Sequence, residues 1–479
     1  NMVKLPPMPW EGAIASLSST VGLPADQLRF TLSMLIAIPV GFLFKAVTQD
    51  PYKVEGNKKA TAIVQRHTLC MTIGLSFMIF LYGYDAIHSV VSSVVGFLIL
   101  RLIPTKSVHV WMSVWAMSYL LGSHAYRMIV AYLGWELDFT NSQLLLTQKL
   151  MNIGFALFDS SRDPQKCTEE QNKRKLSRPP TFLEYFGYIF ALQTLLGGPA
   201  TDYNDYICWI DGSNAKGKNP SPVSAILKRL GGGVLCVICF VVLGGQYPVT
   251  KVGDLDWLNK QNPLYVFIYI NGALFLFRHR YYFAWTLSDA ACNAAGLGYC
   301  GDDENGNPRW DGVLNQNYAA VEGAVNFRSA MTGWNICTSN WLRRCVYERV
   351  PPNGPRTACS FLMSALWHGF YPGYFLTFLS CGLVNETARI LRRHLRPLII
   401  PDEKAEKSVV AQVYHVASWA LTMVTLNYCA VPFVVLAFDL SIGYWVYWRF
   451  APHFIALAIY LLLPVILPLR KPKTASKKE

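Results

Sequence analysis

Ten apolar stretches recur along the chain, at residues 30–44, 68–82, 86–100, 108–133, 182–200, 234–245, 264–277, 360–383, 409–437 and 454–469. They constrain the fold more than any other feature, because so much contiguous apolar surface has to be removed from water. In lipid only helices and closed barrels satisfy every backbone polar group. Barrel strands would appear as ten-residue alternations rather than continuous runs. The pattern therefore predicts an all-α, polytopic helical bundle in a membrane, a single domain over residues 1–479 with roughly ten spans. Many stretches are shorter than the ~20 residues that cross hydrocarbon vertically. Some are accordingly expected to be tilted, half-depth or re-entrant helices buried in protein.

Composition agrees, with 52% hydrophobic and only 15% charged residues. The net charge of +13 is concentrated between the apolar stretches, in "KRKLSR" (173–178), "RILRRHLR" (389–396) and "RKPKTASKK" (470–478). By the positive-inside rule these segments face the cytosol, which makes 471–479 a basic cytosolic tail. Anionic membrane lipids are their simplest partners; a polyanionic cytosolic substrate is the more specific alternative, and nothing points to nucleic acid. No internal repeat is visible, which weighs against inverted-repeat transporters. The start, "NMVKLPPMPWEGAIASLSST", does not read as a cleaved signal peptide, and "LPADQLRF" reads as an amphipathic lead-in to the first span. Cys236 and Cys239 form a CxxC without a second ligand pair at zinc spacing. The acidic "GDDENGNPRWDG" lacks the glycine and closing glutamate of a calcium loop. A turn is expected there, and no metal or other cofactor.

Ionisable residues at membrane depth are costly and tend to face a cavity or pathway. His368 lies near the middle of the 360–383 stretch, in "SALWHGFYPGYFLTF". Pro372, four residues on, can donate no N–H to the His368 carbonyl and crowds it, so the helix should kink or unwind at the histidine. Gly369 and Gly373 form a GxxxG that lets a neighbouring helix approach. These features fit an imidazole presented to an internal chamber, and equally a packing histidine. His124, with Arg127 three residues on, reads as a paired structural site as readily as a functional one. In "MTGWNICTSNWLRRCVYERV", Asn335, Thr338 and Ser339 would make one polar stripe if helical. In "YYFAWTLSDAACNAAGLGY", Asp289 and Asn293 are four residues apart and could line the same cavity or join helices.

Together, "SALWHGFYPGYFLTF", "WNICTSNWL", "YYFAWTLSDAACNAAGLGY" and "FLEYFGYIFALQTLLGGPATDYNDY" resemble the membrane-bound O-acyltransferase family, in its lysophospholipid acyltransferase branch. The likeness is strongest from about Thr147 to Phe433. It implies a helical membrane fold enclosing a tunnel, with acyl-coenzyme A entering from the cytosol and a lysophospholipid from the bilayer, in the endoplasmic reticulum. It implies His368 as the catalytic histidine and Asn335 as the second signature residue. Acyl-coenzyme A is a co-substrate and no cofactor is implied. Trp285, Trp334 and Tyr371, with Thr338, Ser339, Asp289 and Asn293, are candidate substrate-lining residues. Arg343 and Arg344 are candidates to meet the coenzyme A phosphates. Cys337 stands where the family commonly has Gln, which bears on selectivity rather than on the reaction. A different acceptor on the same fold (sterol, diacylglycerol or protein) is the nearest rival, and a transporter with His368 as a proton relay is a more distant one.

Overall fold

The computed structural model describes residues 6–134, 136–192 and 195–468. Residues 1–5 of the start and the basic tail 471–479 lie outside the described residues. Helices dominate, and among the described residues the only extended pairing is the isolated bridge Asp302–Pro308. The principal helices, in chain order, are α1 (Glu11–Val21), α2 (Ala25–Val47), α3 (Gly56–Tyr82), α4 (Ala86–Leu102), α5 (Val108–Val130), α6 (Thr140–Asp159), α7 (Val223–Val237), α8 (Pro263–Ala294), α9 (Ile336–Cys345), α10 (Arg356–His368), α11 (Pro372–Ile399), α12 (Val409–Val435), α13 (Phe438–Tyr447) and α14 (Ala451–Ile466).

Local chemistry sets several helix starts. Asn262 accepts from Leu264 N at 2.9 Å with Pro263 as the first residue of α8, and Ser408 accepts from Ala411 N at 3.1 Å to begin α12. These are ordinary N-cap bonds to otherwise unpaired amides. The short helix Phe182–Ile189 opens on a Thr181–Glu184 capping box. Residues 23–30 are not a separate lead-in: Leu23 and Pro24 precede α2, and Ala25 to Phe30 are its first turns.

Among the described residues, four helical segments are long and apolar enough to cross a bilayer, Ala25–Lys53, Gly56–Leu102, Val223–Gln246 and Val409–Val435; the α13–α14 pair, bent by 75°, makes a fifth if counted as one. This is fewer than the roughly ten expected from the apolar stretches. The other stretches fall on interrupted or charge-bearing helices. In the stretch 182–200 the described helix is the short Phe182–Ile189, α8 carries Arg278, Arg280 and Asp289, and 360–383 is broken at His368. Short, buried and broken elements of this kind are tolerated at membrane depth when other helices surround them.

Packing is densest around α6, where 14 of 20 residues are buried. It lies against α5 and α4, and its Lys149 reaches the end of the helix Phe182–Ile189. Trp209, Trp341, Tyr185, Tyr188 and Tyr206 are among the largest fully buried side chains. Gly74 of α3 lies so close to the Phe190 carbonyl that an added Cβ would fall 1.6 Å from its oxygen. The acidic loop 301–312 is a turn: Asp303 Oδ1 accepts from Asn305 N and Asn307 N at 2.9 and 2.8 Å, and Asp302 pairs with Lys218. Outside the bundle, this pairing holds the Asp302 carboxyl below its ordinary range.

Candidate active site

The helix carrying His368 stops at that residue. Gly369 follows with φ of 124°, a conformation open to glycine and strained for other residues, and α11 restarts with Pro372 as its first residue. Pro372 therefore begins a new helix rather than kinking a continuous one, consistent with its missing N–H. The two glycines of the GxxxG serve different neighbours. Gly369 lies against the His124 ring, where an added Cβ would come within 3.2 Å of Cγ. Gly373 lies against the end of α12, donating its N–H to Leu436 O at 2.9 Å; an added Cβ would be 2.0 Å from Pro432 O.

The last turn of α10 is held at both ends of Trp367. Its indole Nε1 donates to Leu144 O in α6 at 3.0 Å, and its carbonyl accepts from His124 Nε2 at 3.0 Å. That carbonyl is one of the four a helix C-terminus leaves without an internal partner. His124 thus caps the turn carrying His368 and does not pair with Arg127, which instead bridges to Glu136 and Asp138 at 3.1 and 2.9 Å. The His368 ring stacks on Phe378 (5.2 Å, 21°) and meets Phe433 and Tyr374 at 5.0 and 5.4 Å. It is partly accessible, and neither ring nitrogen has a hydrogen-bond partner among the described residues. An apolar aromatic cage therefore fixes the ring plane and leaves the nitrogens available.

Asn335 lies outside the helical stripe expected of it. Its φ and ψ of 45° and 57° are left-handed, and α9 begins one residue later. Asn tolerates this conformation better than most residues. The stripe does not form because that backbone turns residue 335 out of the row containing Thr338 and Ser339. Thr338 is buried and accepts from Gln148 Nε2 at 2.9 Å, and Ser339 Oγ donates back to Trp334 O at 3.4 Å. Trp341 meets Trp367 at 6.1 Å, which couples α9 to the helix ending in His368.

Trp334 sits in an aromatic group with Trp285, Tyr282 and Tyr281 at 4.9, 5.5 and 5.6 Å. Tyr371, beside Tyr374, accepts a hydrogen bond from Leu133 N at 2.8 Å. Asp289 and Asn293 are both buried on α8 but have different partners. Asp289 pairs with Arg229 at the side of α7, with Oδ1 left over, whereas both polar atoms of Asn293 lack partners among the described residues. Arg344 pairs with Asp202, which also takes Arg174, and Arg349 grips Asp159 at 2.6 and 2.8 Å. Burial pushes the Asp202 carboxyl up, against the pull of Arg344 and Arg174. Arg343 is half-exposed, 3.9 Å from Glu348.

The sequence reading missed the residues beneath the site. Gln148, Lys149 and Asn152 are buried on α6, and Lys149 donates to the Tyr188 and Ile189 carbonyls at 3.0 and 3.1 Å. Asn315 also went unnoticed; it accepts from Ile336 N through its carbonyl (2.8 Å) and from Cys337 N through Oδ1 (3.0 Å). The sequence signal for α6 was a run of polar residues interleaved with Leu, Met and Phe, a pattern that a search for apolar stretches passes over.

An all-helical membrane bundle with an imidazole at a helix break, caged by aromatics and underlain by buried polar residues, describes a class that comparison makes definite. The model of the MBOAT, membrane-bound O-acyltransferase family, matches residues 132–431, and the chain belongs to that family. It is similar to Lysophospholipid acyltransferase 6 of Drosophila melanogaster, 33% identical over 465 residues, 94% of this chain and 62% of the fly protein. It is also similar to Membrane-bound glycerophospholipid O-acyltransferase 2 of Homo sapiens, 32% identical over 466 residues, 94% of this chain and 87% of the human one. Lysophospholipid acyltransferase of Schizosaccharomyces pombe is 30% identical over 462 residues, 92% and 88% of the two chains.

Proposed function

We propose that this protein transfers an acyl group from acyl-coenzyme A to the free glycerol hydroxyl of a lysophospholipid, giving a diacyl phospholipid. The observation that carries the reading is the state of His368: a partly accessible imidazole with both nitrogens unpaired among the described residues, at a helix end held by Trp367 and His124. The hydroxyl is a poor nucleophile. An imidazole accepting its proton as it attacks the thioester carbonyl contributes about 10²- to 10⁴-fold. The thioester C–S bond then breaks, the proton goes to the leaving thiolate, and coenzyme A departs as the thiol. Asn335 orients the hydroxyl or donates to the developing oxyanion. Both substrates can meet in one chamber, so no acyl-enzyme is needed.

The surroundings support the same reading. Buried polar groups are nearly always bonded, so Asn293 and the spare Oδ1 of Asp289 are positions for polar substrate atoms or water. The aromatic groups around Trp334 and His368 would exclude bulk water and limit thioester hydrolysis. Arg343, half-exposed, is the freer of the two arginines to meet coenzyme A phosphates, while Arg344 is tied to Asp202. Within this reading the protein resides in the endoplasmic reticulum membrane with its C-terminal tail in the cytosol.

The test is transfer of labelled oleoyl from oleoyl-coenzyme A, by purified protein in detergent, to lysophospholipids of different head groups. Diacyl product from wild type but not from His368→Ala is the expected result. No transfer to any lysolipid by folded protein would refute the acceptor assignment and send the search to sterol, diacylglycerol and peptide acceptors.

A further inference from the structure

We infer that Asn315 is the positioning residue for Asn335, capping α9 from outside so that the Asn335 carboxamide stays free for substrate; this rests on the acyltransferase reading above. The first amides of a helix lack internal partners. Asn at the N-cap ordinarily supplies one through its own side chain. Asn335 occupies that position yet makes no side-chain cap bond. The two leading amides are instead taken by one buried residue twenty positions upstream, Ile336 N by the Asn315 carbonyl and Cys337 N by Asn315 Oδ1. The same strand of chain is fastened once more, Asn317 N donating to Gly333 O at 2.8 Å. Residues 315–317 therefore bracket Asn335 on both sides. A left-handed non-glycine backbone is uncommon and persists where its surroundings over-determine it. With the clamp in place, Asn335 keeps that backbone and its amide group is not spent on its own helix. Without Oδ1 at residue 315, the Asn335 side chain becomes the nearest acceptor for the exposed amides and turns inward.

The experiment compares Asn315→Leu and Asn315→Asp in the full-length protein, alone and in the Asn335→Ala background, using the lysophospholipid assay. Asn315→Leu should lower kcat by about 10- to 100-fold with both KM values within about twofold of wild type. Asn315→Asp, which keeps an acceptor at Oδ1, should recover most of that loss. Added to Asn335→Ala, Asn315→Leu should cost no further rate, because it acts through the residue already removed. An unchanged kcat, no recovery by Asp, or an equal loss in both backgrounds would overturn the proposal. A second measurement needs no variant: hydrogen exchange of the wild-type Ile336 and Cys337 amides should be slow, and exchange at the unprotected rate would overturn the clamp even if Asn315→Leu failed to fold. Wild type that makes no diacyl phospholipid would refute the acyltransferase reading alone, and the exchange result would still decide the clamp.

Discussion

Helices α6 and α7 reverse the arrangement of a soluble protein. In α7, "VSAILKRLGGGVLCV", three of 15 residues are buried, and Leu227, Val234 and Leu235 are 62%, 62% and 57% exposed. In α6, "TNSQLLLTQKLMNIGFALFD", 14 of 20 are buried, including Gln143, Gln148, Lys149 and Asn152. In water the hydrophobic effect would bury the first and expose the second. In lipid an apolar side chain gains little by moving inward, whereas a polar one must find a partner. The inner helix thus collects groups that bond neighbouring segments, Gln143 to Ser92, Gln148 to Thr338 and Lys149 to the Tyr188 and Ile189 carbonyls. Apart from Arg229, which pairs with Asp289, the outer helix has only to match hydrocarbon.

That contrast predicts how the two regions respond to change. The largest effect belongs inside: His368→Ala should reduce transfer by about 10³-fold with the protein still folded in the membrane. Near-wild-type turnover in the lysolipid assay would make the histidine a packing residue. Asn335→Ala should follow with roughly 10²-fold, read in the same assay. Next comes Arg349→Ala, which leaves the buried Asp159 carboxylate at the base of α6 only its longer bridge to Arg162, at 3.3 Å, and should cost about 2 kcal/mol; a melting curve unchanged from wild type would mean that Arg162 alone satisfies Asp159. Arg343→Glu should raise the apparent KM for acyl-coenzyme A severalfold, roughly 1 kcal/mol of binding. An unaltered KM would leave that arginine a topology signal. The smallest effect belongs outside: Leu227→Ala on α7 should change stability by less than about 0.5 kcal/mol. A loss comparable with Arg349→Ala would show that this face packs on protein.

The same contrast explains what the sequence made legible. Apolar stretches mark α2, α3, α4 and α12 because those helices are selected for hydrocarbon. The break at His368 could be read from Pro372, whose missing N–H acts locally. Helix α6 was hidden because its partners, Thr338, Tyr188 and Trp367, come from segments far along the chain. Asn335 looked helical because spacing alone cannot reveal a left-handed backbone. Its conformation depends on Asn315, which carries no local motif. Pairing of Asp289 with Arg229 depends likewise on how α7 lies against α8, a fact of packing rather than of either segment.

The two anchors of Trp367 also set an order of assembly. Its indole bonds a carbonyl 223 residues earlier, and its own carbonyl bonds a histidine 243 residues earlier. Ribosomes add about 5–20 residues per second, so Leu144 is synthesised roughly ten to forty-five seconds before Trp367. During that interval α6 has α4 and α5 to partner Ser142, Gln143 and Thr147, while Gln148 still waits for Thr338 and the Leu144 carbonyl for Trp367. The early half of the chain must therefore be shielded by the insertion machinery or held at the bilayer surface. A chain arrested before residue 367 should be correspondingly prone to degradation.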